Sequence, residues 1–237
     1  MFHVKQWAQE AGFALSDKAL ERLKTFAAEL TEANKVMNLT AITEPEEIEI
    51  KHMVDSLLGG LVINELKEKD DFSLIDVGTG AGFPGLPLKI AFSEGKFTLL
   101  DSLNKRITFL DGVIKTLGLQ GALAVAARAE DYARGEMRES FDFAASRAVA
   151  RTNVLLEYLL PMVRDGGYCL LYKSGNYEEE LEEAKNALSI LGGEIHSVRD
   201  FSLPADGGTR SIIVIKKTGH TPDRYPRKAG KPSKSPL

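Results

Sequence analysis

The sequence predicts an α/β fold in which helices cover both faces of a mostly parallel, seven-stranded sheet whose last strand is reversed. Three observations support this fold. Strand and helix patterns alternate from residue 72 onward, which is typical of a parallel sheet with helical crossovers. A glycine-rich loop follows the first strand, and the last two strands are joined by a short link. A helical appendage is expected to precede this sheet.

The first 65 residues follow a helical pattern. After Ser16, which is a suitable helix N-cap, apolar side chains recur at every third and fourth position. These side chains are Leu20, Leu23, Ala27 and Leu30. We therefore expect residues 1–65 to form the helical appendage. His52 and Asp55 within it are three positions apart, and we interpret them as a structural hydrogen-bonded pair rather than a catalytic pair.

Residues 66–218 are predicted to form the main domain. Its strands are expected at residues 72–77, 96–101, 121–126, 141–146, 166–173, 193–200 and 210–217. Its helices are expected at residues 85–93, 104–118, 151–163 and 177–190. Residues 201–209 join the last two strands and are too few for a helical crossover, so these strands should pair antiparallel.

The loop at residues 78–85 has the composition of a nucleoside-binding turn. Four glycines among its eight residues let the backbone approach a ligand, and a helix N-terminus with free N–H groups follows. Asp101 ends the next strand, about 20 residues further on, where a carboxylate accepts hydrogen bonds from ribose hydroxyls. The loop and this acid together predict a nucleoside site that includes Gly80 and Asp101.

The loop alone leaves two cofactors open. Residues 80–85 satisfy the dinucleotide pattern G-x-G-x-x-G, which fits NAD as well as S-adenosylmethionine. The chain has no room for a second catalytic domain and shows no evident histidine and aspartate pair for hydride transfer. A sheet that closes with a reversed strand is the architecture of the class I methyltransferases. We therefore favour methyl transfer from S-adenosylmethionine over a dehydrogenase.

Three polar residues are candidates at the carboxyl edge of the sheet. Glu130 follows the third strand, where it accepts from the adenine amino group or is an ordinary surface acid. Arg147 ends the fourth strand, where it clamps the methionine carboxylate or the RNA, or forms a surface ion pair. Asp101 has an alternative role as a helix N-cap. We expect Ser102 or Asn104 to fill that role and to leave Asp101 free for ribose.

Composition limits the class of protein. A single cysteine, Cys169, excludes an intrachain disulfide and a multi-cysteine metal site, and we predict no metal cofactor. The sequence shows no signal-peptide pattern, and its apolar stretches fall short of the ~18 residues that a membrane helix needs. We expect a cytoplasmic protein, monomeric, with no membrane partner.

The charge is uneven along the chain. Residues 216–237 hold seven basic residues and one acid, so this segment carries +6 and the remainder −10. We predict that residues 219–237 form a basic tail, which either contacts a polyanion in a salt-dependent manner or is a solvated terminus. The candidate RNA contacts are Lys173, Arg210, Arg227 and Lys228.

Motifs spread over nearly the whole chain carry a family resemblance. They are NLTAI at 38–42, HMVDSL at 52–57, DVGTGAGFPGLPLKI at 76–90, LLDSLNKRITFL at 99–110, AE at 129–130, SRAVA at 146–150 and YPRKAGKPSKSPL at 225–237. With these motifs the chain resembles the glucose-inhibited division protein B family. The resemblance implies S-adenosylmethionine-dependent methylation of N7 of one guanine in 16S ribosomal RNA, on the RNA or on the small subunit. It also implies cofactor contacts at Gly78, Phe83, Ala129, Glu130 and Arg147.

This reaction requires little from catalytic side chains. Guanine N7 carries a lone pair and no proton, so direct in-line methyl transfer needs no general base, and we predict no catalytic residue. Methylation at pyrimidine C5 would need a nucleophilic cysteine, but Cys169 lies inside an apolar strand. The target guanine should lie in a loop, be unpaired or lie in a locally opened helix, because N7 is poorly reachable in an A-form helix. The appendage and the tail are expected to hold RNA, and the tail to leave cofactor affinity nearly unchanged.

Overall fold

The computed structural model describes residues 1–175 and 177–237, and it shows one seven-stranded sheet. The strand order is β3-β2-β1-β4-β5-β7-β6. The strands are β1 (Ser73–Val77), β2 (Lys96–Asp101), β3 (Ala122–Ala126), β4 (Phe141–Arg147), β5 (Val163–Lys173), β6 (Gly193–Ser202) and β7 (Thr209–Lys217). Strand β7 runs antiparallel to both of its neighbours, and the pairs among β1 to β5 are parallel. The predicted fold class, with its reversed last strand, is confirmed.

Ten α-helices of very different lengths surround the sheet within the described residues. The N-terminal ones are α1 (Phe2–Glu10), α2 (Asp17–Met37), α3 (Pro45–Ile48) and α4 (Asp55–Leu66), and a π-helical turn (Glu49–Val54) joins the last two. The others are α5 (Gly85–Ala91), α6 (Asn104–Leu117), α7 (Ala129–Tyr132), α8 (Thr152–Leu159), α9 (Glu178–Leu191) and α10 (Lys231–Lys234). The short helices α7 and α10 were not predicted, since four residues are too few to show a helical period.

The helix predicted at 151–163 is wrong at its C-terminal end. Helix α8 ends at Leu159, a 3₁₀ turn covers Leu160–Met162, and β5 begins at Val163 rather than at residue 166. Pro161 lies within the 3₁₀ turn, and proline cannot continue an α-helix because it lacks the N–H that the helix requires.

The N-terminal helices pack on one face of the sheet. Ser16 caps α2 by accepting a hydrogen bond from the Ala19 N–H at 3.1 Å, as predicted. The side chains of Leu23, Phe26 and Leu30 are fully buried, and they belong to the hydrophobic core that α5 and α6 share with the sheet. These helices therefore position the segment after α2 over the carboxyl ends of the strands.

The other face of the sheet is covered by α8, α9 and the C-terminal segment. Tyr225 is buried against this second core, and Arg138 donates hydrogen bonds to the carbonyl oxygens of Tyr225 and Thr221 at 2.8 and 2.6 Å. The backbone and side chain of Arg227 both bond to the carboxylate of Glu157 on α8. The basic C-terminal segment is thus packed on the body of the protein as far as its last short helix.

Among the residues that the structure describes, no helix combines the length and apolar character needed to cross a membrane.

Candidate active site

A cleft of about 580 Å³ lies at the carboxyl ends of the parallel strands. Strands β1 and β4 are neighbours, and the connection after β1 runs to β2 on one side while the connection after β4 runs to β5 on the other. Open α/β sheets bind ligands at such a switch point. The structure brings all seven predicted cofactor residues to the wall of this cleft. They are Gly78, Gly80, Phe83, Asp101, Ala129, Glu130 and Arg147.

The glycine loop is closed at one position and open at another. The N–H groups of Gly78 and Thr79 donate to the Leu100 carbonyl at 2.8 and 3.0 Å, which fixes the turn against β2. At Gly78, with φ +73°, an added Cβ would lie 2.5 Å from Val149 Cγ2. At Gly80, with φ +60°, an added Cβ would meet nothing nearer than 3.9 Å. The backbone at Gly80 is therefore open to a ligand.

Asp101 is not the free carboxylate that we expected. Its Oδ2 accepts from the Gly80 N–H at 3.0 Å and from Arg106 at 3.0 Å, and its Oδ1 accepts from the Leu103 N–H at 3.0 Å. Helix α6 has Leu103 at its N-cap position, so neither Ser102 nor Asn104 caps it with a side chain. Asp101 reaches the cleft wall while it holds the loop and the start of the helix together.

Two buried polar groups behind the loop were not predicted as site residues. Asp76 Oδ2 accepts from the Gly85 N–H at the start of α5 at 2.8 Å, and burial raises the pKa of Asp76 to about 6. Thr79 lines the cleft and lies close enough to Asp76 to lower that pKa. Within the described chain, neither Asp76 Oδ1 nor Thr79 Oγ1 makes a hydrogen bond of ordinary geometry. An acid inside an apolar strand, directly before the glycines, is the sequence feature that identifies this pair.

Arg147 lies at the cleft wall, but three of its five N–H donors are bound to the protein. Its Nη1 donates to Asp55 Oδ2 at 2.9 Å and to the Lys51 carbonyl at 3.0 Å. Its Nη2 lies 3.0 Å from His52 Nδ1, and the guanidinium carbon lies 5.0 Å from the centroid of the Phe83 ring. Arg147 is therefore neither a free clamp for a ligand nor a surface ion pair, which were the two roles considered from the sequence.

His52 and Asp55 do not form the pair expected from their spacing. Both contact Arg147 instead, because His52 belongs to the π-helical turn and Asp55 begins α4 directly after it. The His52 ring stacks on Phe83 with centroids 4.4 Å apart. Burial, reinforced by the adjacent Arg147 charge, lowers the pKa of His52 to about 3. His52 is therefore neutral over the ordinary pH range.

The C-terminal segment supplies part of the cleft wall. Glu130 is buried, and its Oε1 accepts from the Gly230 N–H at 2.8 Å. The hydroxyl groups of Tyr158 and Ser233 lie 2.9 Å apart, and both residues line the cleft. The expected separation between the tail and the cofactor site is therefore wrong in geometry. The amino-acid composition of the tail does not indicate the hydrogen bonds from Gly230 to Glu130 and between Ser233 and Tyr158.

The predicted RNA contacts differ in how much charge they leave available. Lys173 donates to Glu180 Oε2 at 2.5 Å, and Arg227 forms a bidentate pair with Glu157, so their charges are already compensated. Arg210 Nε lies 3.3 Å from Asp55 Oδ1. Lys228 is exposed, as are Arg224 and, on α10, Lys231 and Lys234. The charges of these side chains are accessible from solvent.

Cys169 is fully buried, and burial raises the pKa of its thiol to about 12. A thiolate nucleophile at this position is thus excluded. No group of three or more histidine, cysteine, aspartate or glutamate residues in the described part of the chain is arranged to hold a metal ion.

Comparison with known proteins identifies the family. The family model of the rRNA small subunit methyltransferase G (GidB) matches residues 19–212. The chain belongs to this family. The methyltransferase G of Alkaliphilus metalliredigens is 46% identical over 99% of this chain and 97% of its own length. That of Desulfitobacterium hafniense is 49% identical over 97% of this chain and 94% of its own length.

Solved structures show the same fold at lower similarity. TrmN from Thermus thermophilus aligns with a TM-score of 0.53 at 16% identity, over 68% of this chain and 48% of that one. TYW2 from M. jannaschii, in complex with AdoMet, aligns with a TM-score of 0.52 at 15% identity, over 68% of this chain and 74% of that one. The sheet of this methyltransferase G family member is thus the class I methyltransferase sheet.

The raised pKa of Asp76 predicts a pH-dependent stability. Below pH 3.8, the ordinary pKa of an aspartate, Asp76 is protonated in both the folded and the unfolded protein. Between pH 3.8 and about 6 the unfolded protein loses the proton while the folded protein keeps it, so the free energy of unfolding falls as pH rises. Relative to wild type, Asp76→Asn should therefore gain roughly 2 kcal/mol between about pH 4.5 and pH 7. Urea unfolding at several pH values measures this difference, with Asp71→Asn at an exposed carboxylate as the control. A difference that is constant with pH would contradict the assignment.

Proposed function

We propose that this family member transfers the methyl group of S-adenosylmethionine to N7 of a guanine in 16S ribosomal RNA. The observation that carries the proposal is the cleft at the switch point of a class I methyltransferase sheet, in a chain of the rRNA small subunit methyltransferase G family. Because ribosomal RNA is the proposed substrate, we place the reaction in the cytoplasm. We keep the monomer as part of the proposal.

The residues of the cleft fit S-adenosylmethionine. The volume of about 580 Å³ is within the range of cofactor sites. No side chain blocks the backbone at Gly80, and Asp76 Oδ1 and Thr79 Oγ1 lack hydrogen bonds of ordinary geometry to any described residue. The residues that we assign to this cofactor all line the cleft: Gly78, Gly80, Phe83, Asp101, Ala129, Glu130 and Arg147.

The proposed reaction depends on positioning. Bound S-adenosylmethionine supplies an electrophilic methyl group. The protein holds the two reactants in line, an entropic advantage that can contribute several kcal/mol. Phe83 gives the cleft a rigid wall, since its ring packs against Phe26 at 5.1 Å and against His52 at 4.4 Å. Guanine N7 has no proton to remove, and neutral His52, bonded at both ring nitrogens, is not available as a base.

Mapping N7-methylguanine on ribosomal RNA tests the proposed function directly. RNA is compared from cells with and without this protein, and from cells that regain it on a plasmid. We expect one guanine of the 16S RNA to lose its N7 methyl group without the protein and to regain it on complementation. An unchanged methylation map would refute the proposal.

Gly80 offers a prediction for cofactor binding with a matched control. Gly80→Ala places a methyl group in the open space at the loop, so the affinity for S-adenosylhomocysteine should fall roughly tenfold or more. Gly118 has the same φ of +60° and also has open space, but it ends α6 outside the cleft. Both variants should lose ~1–2 kcal/mol of stability from the left-handed backbone.

Calorimetric titration and urea unfolding of the two variants separate these effects. Equal loss of cofactor affinity in Gly118→Ala would contradict the assignment of the loop.

Two variants of the C-terminal segment should separate its effect on RNA binding from its effect on cofactor binding. Replacing Lys228, Lys231 and Lys234 with Gln removes three exposed charges and keeps the Gly230 backbone contact and the Ser233 hydroxyl contact. RNA binding should weaken, and the slope of log affinity against log salt should flatten by roughly 0.7–0.9 for each phosphate that is no longer neutralised. The affinity for S-adenosylhomocysteine should stay unchanged.

Deleting residues 229–237 removes Ser233 from the cleft wall and the Gly230 contact with Glu130, together with the charges of Lys231 and Lys234. Arg227 keeps its ion pair with Glu157 in this variant. We expect both RNA binding and cofactor affinity to fall in this variant. Filter binding across salt concentrations and calorimetry measure the two. A truncated protein with wild-type cofactor affinity would show that the segment is not a wall of the site.

A further inference from the structure

Thr40 occupies a fixed position at the cleft wall. Asn38 ends helix α2 with φ +50°, and the chain then turns across the carboxyl edge of the sheet. Asn34 holds the Thr40 backbone from both sides, because its amide donates to the Thr40 carbonyl and accepts from the Thr40 N–H, each at 2.9 Å. Thr40 lines the cleft beside His52 and Phe83. The position of its side chain is thus set before a ligand arrives.

The direction of the hydrogen bonds around His52 is determined by Arg147. A guanidinium group only donates, so His52 Nδ1, 3.0 Å from Arg147 Nη2, must accept. The proton of the neutral ring therefore resides on Nε2. That nitrogen lies 2.8 Å from Thr40 Oγ1, which must accept from it. Burial next to Arg147 lowers the pKa of His52 to about 3, so this direction holds at working pH.

The Thr40 hydroxyl receives a second hydrogen bond within its own loop. The Ile42 N–H donates to Thr40 Oγ1 at 3.1 Å. A hydroxyl oxygen has two acceptor sites and one hydrogen, so both acceptor sites are now filled. The remaining capacity is the O–H donor. In the described part of the chain, no acceptor takes this hydrogen, and the residue faces the cleft.

We infer that Thr40 is a preset hydrogen-bond donor that binds an oxygen acceptor of the bound reactants. Two acceptors have the right chemistry: the carboxylate at the amino-acid end of the cofactor and O6 of the guanine, which neighbours N7. This inference rests on the proposed function, because both acceptors belong to its reactants. Arg147 then acts through His52, as a positioning residue that fixes which ring nitrogen carries the proton.

The inference changes how the cleft recognises its ligand. Arg147 directs three of its five N–H donors at Asp55, Lys51 and His52, so most of its hydrogen-bonding capacity is used within the protein. Arg147 donates to His52, and His52 in turn donates to Thr40. The hydroxyl of Thr40 is thereby left as the donor that faces the cleft. A hydroxyl that is already saturated as an acceptor discriminates against donors such as an amino group, since it offers them no free lone pair.

Thr40→Val and Thr40→Ser test the inference, with Thr31→Val as the matched control. Thr31 is exposed on α2 and donates to the Ala27 carbonyl, outside the cleft. Calorimetry measures the affinity for S-adenosylhomocysteine and for 5′-methylthioadenosine, which lacks the amino-acid end. Single-turnover methylation of 16S ribosomal RNA at saturating S-adenosylmethionine measures the transfer step. Thermal unfolding checks that each variant is folded.

If the cofactor carboxylate is the acceptor, Thr40→Val weakens S-adenosylhomocysteine binding roughly tenfold and leaves methylthioadenosine binding unchanged. If guanine O6 is the acceptor, both affinities stay unchanged and the single-turnover rate falls at least about tenfold. Thr40→Ser restores the wild-type value in either case, and Thr31→Val changes neither. Both results support a donor at Thr40 and identify its acceptor.

Two results would overturn the inference. One is an equal loss of affinity for both nucleosides, which is the mark of a structural effect on the whole cleft. The other is a Thr40→Val enzyme with wild-type affinities and rate. Failure of the proposed function is distinguishable, because the wild-type protein itself would then not bind S-adenosylhomocysteine or would not methylate 16S ribosomal RNA, whatever residue 40 is.

Discussion

The ion pair between Arg147 and Asp55 joins the parts of the protein that form the cleft. It connects β4 to α4 across 92 positions of sequence, and both side chains are largely removed from solvent. A charge in such a place requires a paired charge and further hydrogen bonds, which Asp55, the Lys51 carbonyl and His52 provide. The same guanidinium packs against the Phe83 ring. Arg147 therefore contacts the N-terminal helices and the glycine loop from the fourth strand. The hydrogen bonds that its buried guanidinium requires fix the relative positions of these elements.

This constraint explains why the charged candidates of the cleft have other roles than the sequence suggests. A buried carboxylate or guanidinium is stable only when protein groups satisfy it, since the ligand is absent during folding. Asp101 therefore holds the Gly80 N–H, Glu130 holds the Gly230 N–H, and Arg147 holds Asp55. Two uncharged features remain for a ligand: the space beside the Gly80 backbone, whose N–H already donates to Asp101, and the hydroxyl of Thr40. Charged side chains build the cleft, and uncharged groups face its contents.

The fold and the location of the site could be predicted because they depend on local features. Alternating patterns, a glycine loop and a link too short for a crossover predict a mostly parallel sheet with a reversed last strand, and parallel strands place their carboxyl ends at one edge. The partners of each polar group could not be predicted. The bond from Gly230 to Glu130 spans 100 positions, and the contact from Arg147 to His52 spans 95. No residue pattern reveals such pairs, and the π-helical turn that presents His52 has no period of its own in so short a segment.

The C-terminal segment shows why cofactor and RNA binding should not be treated as independent. Its backbone and Ser233 form a wall of the cleft, while the cationic side chains of Lys228, Lys231 and Lys234 are exposed on the same few residues. Under the proposed function, phosphates bound at these lysines would restrict the motion of the segment and so order this part of the cleft wall. Linkage then requires the reverse effect: a cofactor that orders the wall also orders the lysines, by the same coupling free energy. A segment whose composition indicates a simple electrostatic tail would thus connect the two proposed binding events, because the same short segment lines the cleft and carries the exposed lysines.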